Sequence, residues 1–586
     1  MRCKEHLISF SLKLLDTLAG YVRSYYRELQ ETLESLQGNE QMLEDCFYKH
    51  LEFGTGGIRG ELGPGPNRLN IYTVRRISEG LARYIEEHGE PAKQSGVAIA
   101  YDSRCKSSDF ARGAAQVFAS HGIRVYFFDR LCPTPLLSYA VRFVKAFAGI
   151  VITASHNPPE YNGYKIYGAD GGQITPVMAD RINAKVNEVE DELSINVREE
   201  AELEKSGLLT LIDDRIEEAY ISRLQTIRLH PPEAKVPTSL VNIVFTPLHG
   251  TSYEPMMKVL RRYGYRNVTV VREQADPDPN FSHAVSLNPE EHRSFELAIK
   301  YGKEANADLL IATDPDADRV GMAVKNDAEQ YVVLTGNQTG ALLLYYLLST
   351  RKKAGMLPAN GVILKTIVTT EMARAIALDF GMETVETLTG FKYIGEKISE
   401  YEKTGKYTFQ FGFEESNGYV IGDFVRDKDG IQTALMMADM CACYKAQGKT
   451  IYEGLLELFG KYGFYHEDLY SITLRGKDGA EKISLIIDSF RQSPPTRIAG
   501  KEIAIIEDCL TGFSRDLNQS KAAEISLPKS NVLKFRLEDD SWFCLRPSGT
   551  EPKIKIYVGV KGASMEESGQ RLACVKESVI TLINGV

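Results

Sequence analysis

A chain of 586 residues is too long for a single hydrophobic core, which stops growing near about 250 to 300 residues, so roughly three to five domains are expected. A formal net charge of -10 disfavours a nucleic-acid or anionic-membrane partner, because those surfaces demand a clustered cationic footprint. Hydrophobic content of 43% with 25% charged residues excludes disorder and repeats of the collagen kind, and any anionic substrate must be held by local basic groups.

Met1 to Gly20 starts with basic residues, but Lys13 and Asp16 interrupt its apolar stretch while Leu7, Leu14, Leu15 and Leu18 recur at helical spacing. The pattern predicts an amphipathic helix that caps the first domain, not a signal peptide. The longest apolar run, Ala341 to Leu348, falls far short of the roughly 20 residues that cross a bilayer, so no membrane span is expected. Nine scattered cysteines argue against a disulfide framework or a zinc site and for reduced thiols in the cytoplasm.

Buried strands are predicted at Val97–Tyr101, Val125–Phe128, Ala148–Thr153, Val241–Thr246, Asp308–Thr313 and Val362–Val368, with helices between them such as Phe110–Ser120 and Glu254–Tyr263. This alternation implies an α/β protein with mainly parallel sheets covered by helices. The strands ending at Thr153, Thr313 and Phe411 each run into a polar loop of unusual composition, as three related domains would require. In such sheets ligands bind beyond the carboxyl ends of the strands. The tail differs: strands at Val532–Arg536, Trp542–Leu545 and Lys553–Val558, a turn at Arg546–Thr550 and a helix near Glu566–Ile583 suggest a smaller, partly antiparallel α+β domain. Charged or turn-rich stretches place the domains at 1–205, 206–325, 326–460 and 461–586.

Four loops carry the chemistry. Thr153-Ala-Ser-His-Asn-Pro-Pro-Glu-Tyr-Asn-Gly-Tyr-Lys165 puts Ser155 at a strand end beside His156 and Lys165; serine needs such a neighbour, a metal or a phosphorylated state to take part in group transfer. Alone, a Ser-His pair is more often a polar turn. In Asp314-Pro-Asp-Ala-Asp-Arg319 three alternating carboxylates can face one oxygen-lined site suited to Mg²⁺. An EF-hand would need Gly and Glu where Arg319 and Lys325 stand, so a calcium loop is excluded. Gly412-Phe-Glu-Glu-Ser-Asn-Gly418, followed by Arg426-Asp-Lys-Asp-Gly430, offers carboxylates and a serine to sugar hydroxyls, although an ordinary turn fits equally well. Arg546-Pro-Ser-Gly-Thr-Glu-Pro-Lys553 combines a guanidinium, hydroxyls and an accessible backbone N–H as a phosphate cradle. Phe53-Gly-Thr-Gly-Gly-Ile-Arg-Gly60 could set Arg59 against a phosphate.

Taken in this order from about Phe53 to the C-terminus, the motifs resemble the α-D-phosphohexomutase superfamily. Thr246-Pro-Leu-His-Gly-Thr251, Thr387-Leu-Thr-Gly-Phe-Lys-Tyr-Ile394 and the Phe-Glu-Glu-Ser loop are similar to its second type of phosphoglucomutase, the subgroup of bacterial α-phosphoglucomutases and mammalian phosphopentomutase. The resemblance implies four domains around a central cleft and a phosphoserine at Ser155. It implies one Mg²⁺ on Asp314, Asp316, Asp318 and the Ser155 phosphate, with Arg319 holding the transferring group. Lys392, Glu414 and Ser416 would meet the sugar, and Arg546, Ser548, Gly549, Thr550 and Lys553 the phosphate that is not reacting. Arg59 and Lys165 match positions of charge stabilisation and proton transfer, and His156 belongs to the same loop. The implied reaction converts glucose 1-phosphate and glucose 6-phosphate into each other through glucose 1,6-bisphosphate; the sequence leaves open whether the chain is a monomer or a dimer. Phosphopentomutase, phosphomannomutase or glucose-1,6-bisphosphate synthase activity on the same scaffold stays open, and so does a metal-dependent phosphatase or a silent sugar-phosphate sensor.

Overall fold

A computed structural model of the chain describes residues 21–51, 57–228, 237–474, 476–519, 521–547 and 553–585. Met1 to Gly20, Phe53 to Gly56 and Ser548, Gly549 and Thr550 lie outside the described residues. Among the described residues no helix is long and apolar enough to cross a membrane. The helix Tyr21–Ser35 buries Leu29 and Leu33, and its Glu28 pairs with Lys106 at 2.7 Å.

The first sheet holds β1 (Ile58–Glu61), β2 (Val97–Tyr101), β3 (Val125–Phe128), β4 (Ala148–Ile152), β5 (Tyr161–Gly168) and β6 (Leu209–Ile212) in the order β1-β5-β4-β2-β3-β6. β2, β3, β4 and β6 are parallel, β5 runs antiparallel to β4, and β1, antiparallel to β5, runs the same way as the parallel strands. Near-continuous apolar runs make β2 and β4 fully buried, as helices on both faces of a parallel sheet require. The sheet takes β6 from beyond residue 205, because the charged stretch 185–206 is mostly helix and turn, not a linker.

The second sheet holds β7 (Ile243–Thr246), β8 (Val268–Val270), β9 (Leu309–Thr313) and β10 (Val320–Lys325) in the order β10-β9-β7-β8, and β10 pairs with β11 (Tyr331–Val333), so this hairpin also runs past residue 325. The third holds β12 (Gly361–Thr366), β13 (Glu383–Thr387), β14 (Thr408–Glu414) and β15 (Gly418–Val420) in the order β13-β12-β14-β15. One plan recurs three times: the first strand sits between its two parallel partners, and a further strand flanks the third. The loop from the third strand to that flanking strand is 153–160, 314–319 and 415–417 in turn, and each contains one left-handed residue other than glycine: Ser155 (φ 56), Ala317 (φ 58) and Asn417 (φ 57).

The last sheet contains β16 (Phe464–Thr473), β17 (Arg497–Ile498), β18 (Lys501–Asp508), β19 (Phe513–Asp516), β20 (Lys521–Glu524), β21 (Leu533–Leu537), β22 (Trp542–Pro547) and β23 (Lys553–Gly562). Its order is β16-β23-β22-β21-β18-β19-β20, with β17 on β18, and every pairing is antiparallel. Helices Gly476–Gln492 and Met565–Asn584 close its core. An α+β tail is what the sequence led us to expect; its antiparallel character is complete among these strands, not partial.

Contacts divide the described chain into two compact units. One is formed by residues up to Arg228 with Val241–Met322 and Gly422–Leu435; the other contains Ala323–Ile421 and the chain from Met436 onward. The first unit has a pH-sensitive joint. His121 Nε2 lies 2.8 Å from Glu79 and Nδ1 3.1 Å from Glu86, and the hydrogen bond it donates to Glu79 raises the imidazole above its ordinary 6.5. A raised folded-state value gives stability that is full below pH 6.5 and fades as pH climbs through that value. His121→Gln is therefore expected to flatten the loss of stability between neutral and mildly alkaline pH, as read from urea melts across that range.

Candidate active site

Ser155 follows β4 and takes a left-handed φ of 56°, which turns its hydroxyl toward the loop after β9. Its Oγ donates to Asp314 Oδ2 at 2.6 Å and lies 3.2 Å from His156 Nδ1. His156 is held well below its ordinary value by burial first, then by Arg319 and Arg59, so the ring is neutral at pH 7.

Asp314, Asp316 and Asp318 are buried, and one carboxylate oxygen of each lies within 4.8 Å of the others. Burial and its two acidic neighbours push Asp314 well above the usual carboxylate range. Asp318 goes the other way: burial opposes ionisation, but Lys165, Lys428 and Arg319 outweigh it and lower the carboxyl. Asp316 Oδ1 and Asp318 Oδ1 are buried acceptors without a hydrogen bond. Orphaned acceptors of that kind in an all-oxygen set suit a hard divalent cation, so the triad fits a metal ion.

Lys165 projects from β5, fully buried, and its Nζ donates to Asp316 Oδ2 at 2.7 Å and Asp318 Oδ2 at 2.9 Å. Desolvation alone would lower this ammonium, but the two carboxylates prevail and raise it. Thr134 Oγ1 adds a second donor to Asp316 Oδ2 at 2.9 Å. Arg319 gives its backbone N–H to Asp314 Oδ1 at 2.9 Å and its guanidinium to Glu290 at 2.6 Å. Arg59 reaches Asn157 Oδ1 at 2.9 Å, two residues past Ser155.

Gly422–Leu435 belongs to this same unit and supplies a further cation, Lys428, that the sequence motifs leave without a role. Lys428 Nζ lies 3.3 Å from Asp318 Oδ2 and 3.1 Å from Asp427 Oδ1. Asp427 is fixed in turn by Tyr167 and Gln173, each at 2.8 Å. Strand period two puts Lys165 and Tyr167 on one face of β5, so the same strand addresses the acidic cluster directly and, through Asp427, braces its second lysine.

The loop after β7 supports the acidic loop from behind: Thr251 N and Oγ1 both donate to Pro315 O, at 2.8 and 3.0 Å. Gly250 makes the approach possible, since a Cβ there would lie 2.4 Å from Pro315 Cα and O. Gly250→Ala is expected to displace the acidic loop and lower kcat by on the order of 100-fold, with the divalent-cation activation constant raised. A metal titration of the activity checks both.

The remaining expected site residues belong to the second unit. Glu414 ends β14 and is buried, Ser416 is half-buried beyond it, and Glu415 Oε2 accepts from Thr366 Oγ1 at 3.0 Å and Thr369 Oγ1 at 3.4 Å. Lys392 lies in the first turn of the helix Phe391–Thr404, over the Tyr393 ring at 5.4 Å. Arg546 sits near the end of β22 and hydrogen-bonds Tyr557, whose phenol also feels Glu415, so the Glu-Glu-Ser loop and Arg546 approach one buried tyrosine. Lys553 opens β23.

Comparison with known proteins agrees with this architecture. The four phosphoglucomutase/phosphomannomutase domains match in order: alpha/beta/alpha domain I at residues 50–193, domain II at 218–327, domain III at 335–462 and the C-terminal domain at 512–570. A phosphoglucomutase of Staphylococcus aureus is 37% identical over 539 residues, 92% of this chain and 94% of its own. That of Staphylococcus haemolyticus is 37% identical over 528 residues, covering 90% and 93%. Among solved structures, the open form of pp63/parafusin, a Paramecium phosphoglucomutase, shares the fold with a TM-score of 0.66 at 18% identity, over 92% of this chain and 96% of its own. A Burkholderia thailandensis phosphoglucomutase/phosphomannomutase family protein gives 0.64 at 17%, over 91% and 97%. These matches define an enzyme, a phosphotransferase of the isomerase class. The chain belongs to the phosphoglucomutase/phosphomannomutase family.

Proposed function

We propose that the chain interconverts α-D-glucose 1-phosphate and glucose 6-phosphate, with Ser155 as the phosphoryl carrier and glucose 1,6-bisphosphate as intermediate and activator. The observation that carries this reading is the 2.6 Å approach of Ser155 Oγ to Asp314, inside a buried triad that has two orphaned oxygens. One Mg²⁺ would be held by Asp314, Asp316 and Asp318 with the phosphate on Ser155. When bound it supplies positive charge to the peripheral oxygens of a loose phosphoryl-transfer transition state.

The chain's own residues supply the rest. Phosphoserine 155 gives its phosphoryl to the free sugar hydroxyl: the P–Oγ bond breaks, a P–O bond to the sugar forms, the hydroxyl proton leaves to a base, and the freed Ser155 Oγ takes up a proton. In the return half, the bond between the other phosphate and its sugar oxygen breaks as a P–Oγ bond to Ser155 forms; His156 Nδ1, neutral and 3.2 Å from Oγ, is placed to accept the serine proton, and the leaving sugar oxygen takes back the proton given to the base in the first half. Lys165 and Lys428 balance the charge of Asp316 and Asp318, while Arg59 and Arg319 hold the transferring group. Lys392, Glu414 and Ser416 orient the sugar, and Arg546 with Ser548, Gly549, Thr550 and Lys553 binds the phosphate at rest. The bisphosphate must turn around between the two halves, so that cradle has to accept a phosphate from either end of the sugar.

Chelation is the direct test of the metal. Dialysis against EDTA is expected to abolish conversion of glucose 1-phosphate, and Mg²⁺ to restore it; turnover that survives chelation would contradict the assignment. Measured beside it, ribose 1-phosphate is expected to turn over more slowly than glucose 1-phosphate, and the reverse order would move the assignment to pentose phosphates.

A further inference from the structure

In each of the three α/β sheets, the end of the first strand or the loop after it braces the loop that carries the chemistry. Thr251 holds the Pro315 carbonyl, and Thr366 and Thr369 hold Glu415. In the first sheet the brace is a single buried guanidinium. Arg104, three residues past β2, has no exposed side-chain surface. Its Nη2 donates to the carbonyls of Ser155, at 2.6 Å, and of Asn157; its Nη1 donates to Pro158 O at 2.8 Å and Tyr161 O at 3.0 Å. Four carbonyls between residues 155 and 161 therefore converge on one rigid, planar donor.

The charge of that donor is provided for locally. Asp102 Oδ2 stands 3.4 Å from Arg104 Nε, while its Oδ1 accepts from Arg104 N at 3.0 Å and Ser107 Oγ at 2.7 Å. The Phe281 ring covers the guanidinium with its centroid 5.0 Å away. What the brace holds is a serine in the left-handed region, a backbone state that persists for residues other than glycine only where the surroundings impose it.

We propose that Arg104 is a positioning residue for phosphoryl transfer: it touches no substrate, and it fixes the Ser155 backbone so that Oγ stays in line with the acidic triad. The inference rests on Ser155 being the phosphoryl carrier. Arg104→Lys keeps the charge opposite Asp102 but gathers its donors at one point, so carbonyls on both sides of the loop cannot all be served.

The experiment compares wild type, Arg104→Lys and Ser155→Ala in the coupled glucose 1-phosphate assay, with kcat normalised to phosphoserine content. Arg104→Lys is expected to lose kcat by about 30-fold with KM for glucose 1-phosphate changed less than about threefold, because the loop is misplaced while the sugar contacts are intact. A general weakening of the fold would lower the phosphorylated fraction and leave the normalised kcat alone. Wild-type kcat in Arg104→Lys, or a loss confined to KM, overturns the inference while an inactive Ser155→Ala preserves the carrier reading. Full turnover in Ser155→Ala sinks the carrier reading and this inference with it. Should Arg104→Lys not fold, Asp102→Asn carries the same test: it frees the guanidinium on one side, and an unchanged normalised kcat there overturns the proposal.

Discussion

Ser155→Ala is expected to lose on the order of 10⁴-fold or more of the turnover while leaving the fold nearly as stable as before. The substitution removes the one oxygen that lies within 2.6 Å of Asp314 and 3.2 Å of His156. It leaves the Arg319 amide on the other oxygen of Asp314 and the Arg104 brace on the loop backbone. Alanine must adopt the same left-handed φ as serine, so the backbone strain changes little. The coupled assay and a thermal melt together check this: a variant that keeps its melting temperature and loses its activity is the expected result.

Lys165→Met is expected to damage both properties. The ammonium is buried against two buried carboxylates at 2.7 and 2.9 Å, and removing one partner of such a pair leaves charge uncompensated. That costs about 3 to 5 kcal/mol in the metal-free protein. A divalent cation at the triad replaces part of the lost charge, so added Mg²⁺ is expected to recover more stability in the variant than in wild type. Turnover falls by on the order of 100-fold even at saturating metal, because the fixed dipoles and charges around the transferring phosphoryl are then incomplete. Denaturant melts with and without Mg²⁺ separate the two effects; a loss below about 1 kcal/mol with normal kcat would contradict the charge assignment.

Much of this was legible in the sequence because the buried parallel strands write themselves as short apolar runs. Val97–Tyr101 and Val125–Phe128 form as expected to the residue, and the recurrence of a polar loop after the third strand marks the repeat that the sheet orders display. The third loop is less clear. β14 runs on through Gly412-Phe-Glu414, three residues past Phe411, since Phe413 is as buried as Phe411 and continues the strand's inward face. Domain limits were blurred for a related reason: helical and charged stretches resemble linkers until their partners are known, and β6 reveals itself only by pairing with β3.

Residues that act through distant partners left no local signal. Lys428 lies over a hundred positions along the chain from Asp318, and a lysine between two aspartates reads as a solvated turn until Gly422–Leu435 is seen to pack in the first unit. Arg104 and Thr134 are ordinary polar residues in sequence, Thr251 stands in a recognised motif with no role of its own there, and the importance of all three is visible only in the carbonyls and carboxylates they reach. The catalytic loops were recognisable from their own composition, whereas the residues that brace them were not.

Passage of the phosphoryl group through Ser155 is tested by incubating the dephosphorylated protein with glucose 1,6-bisphosphate carrying ³²P, digesting it and mapping the label. One labelled peptide is expected, phosphorylated at Ser155 and emptied on a chase with unlabelled glucose 1-phosphate. Label on an aspartate of the 314–318 loop, or its release as inorganic phosphate without passage through Ser155, would contradict it.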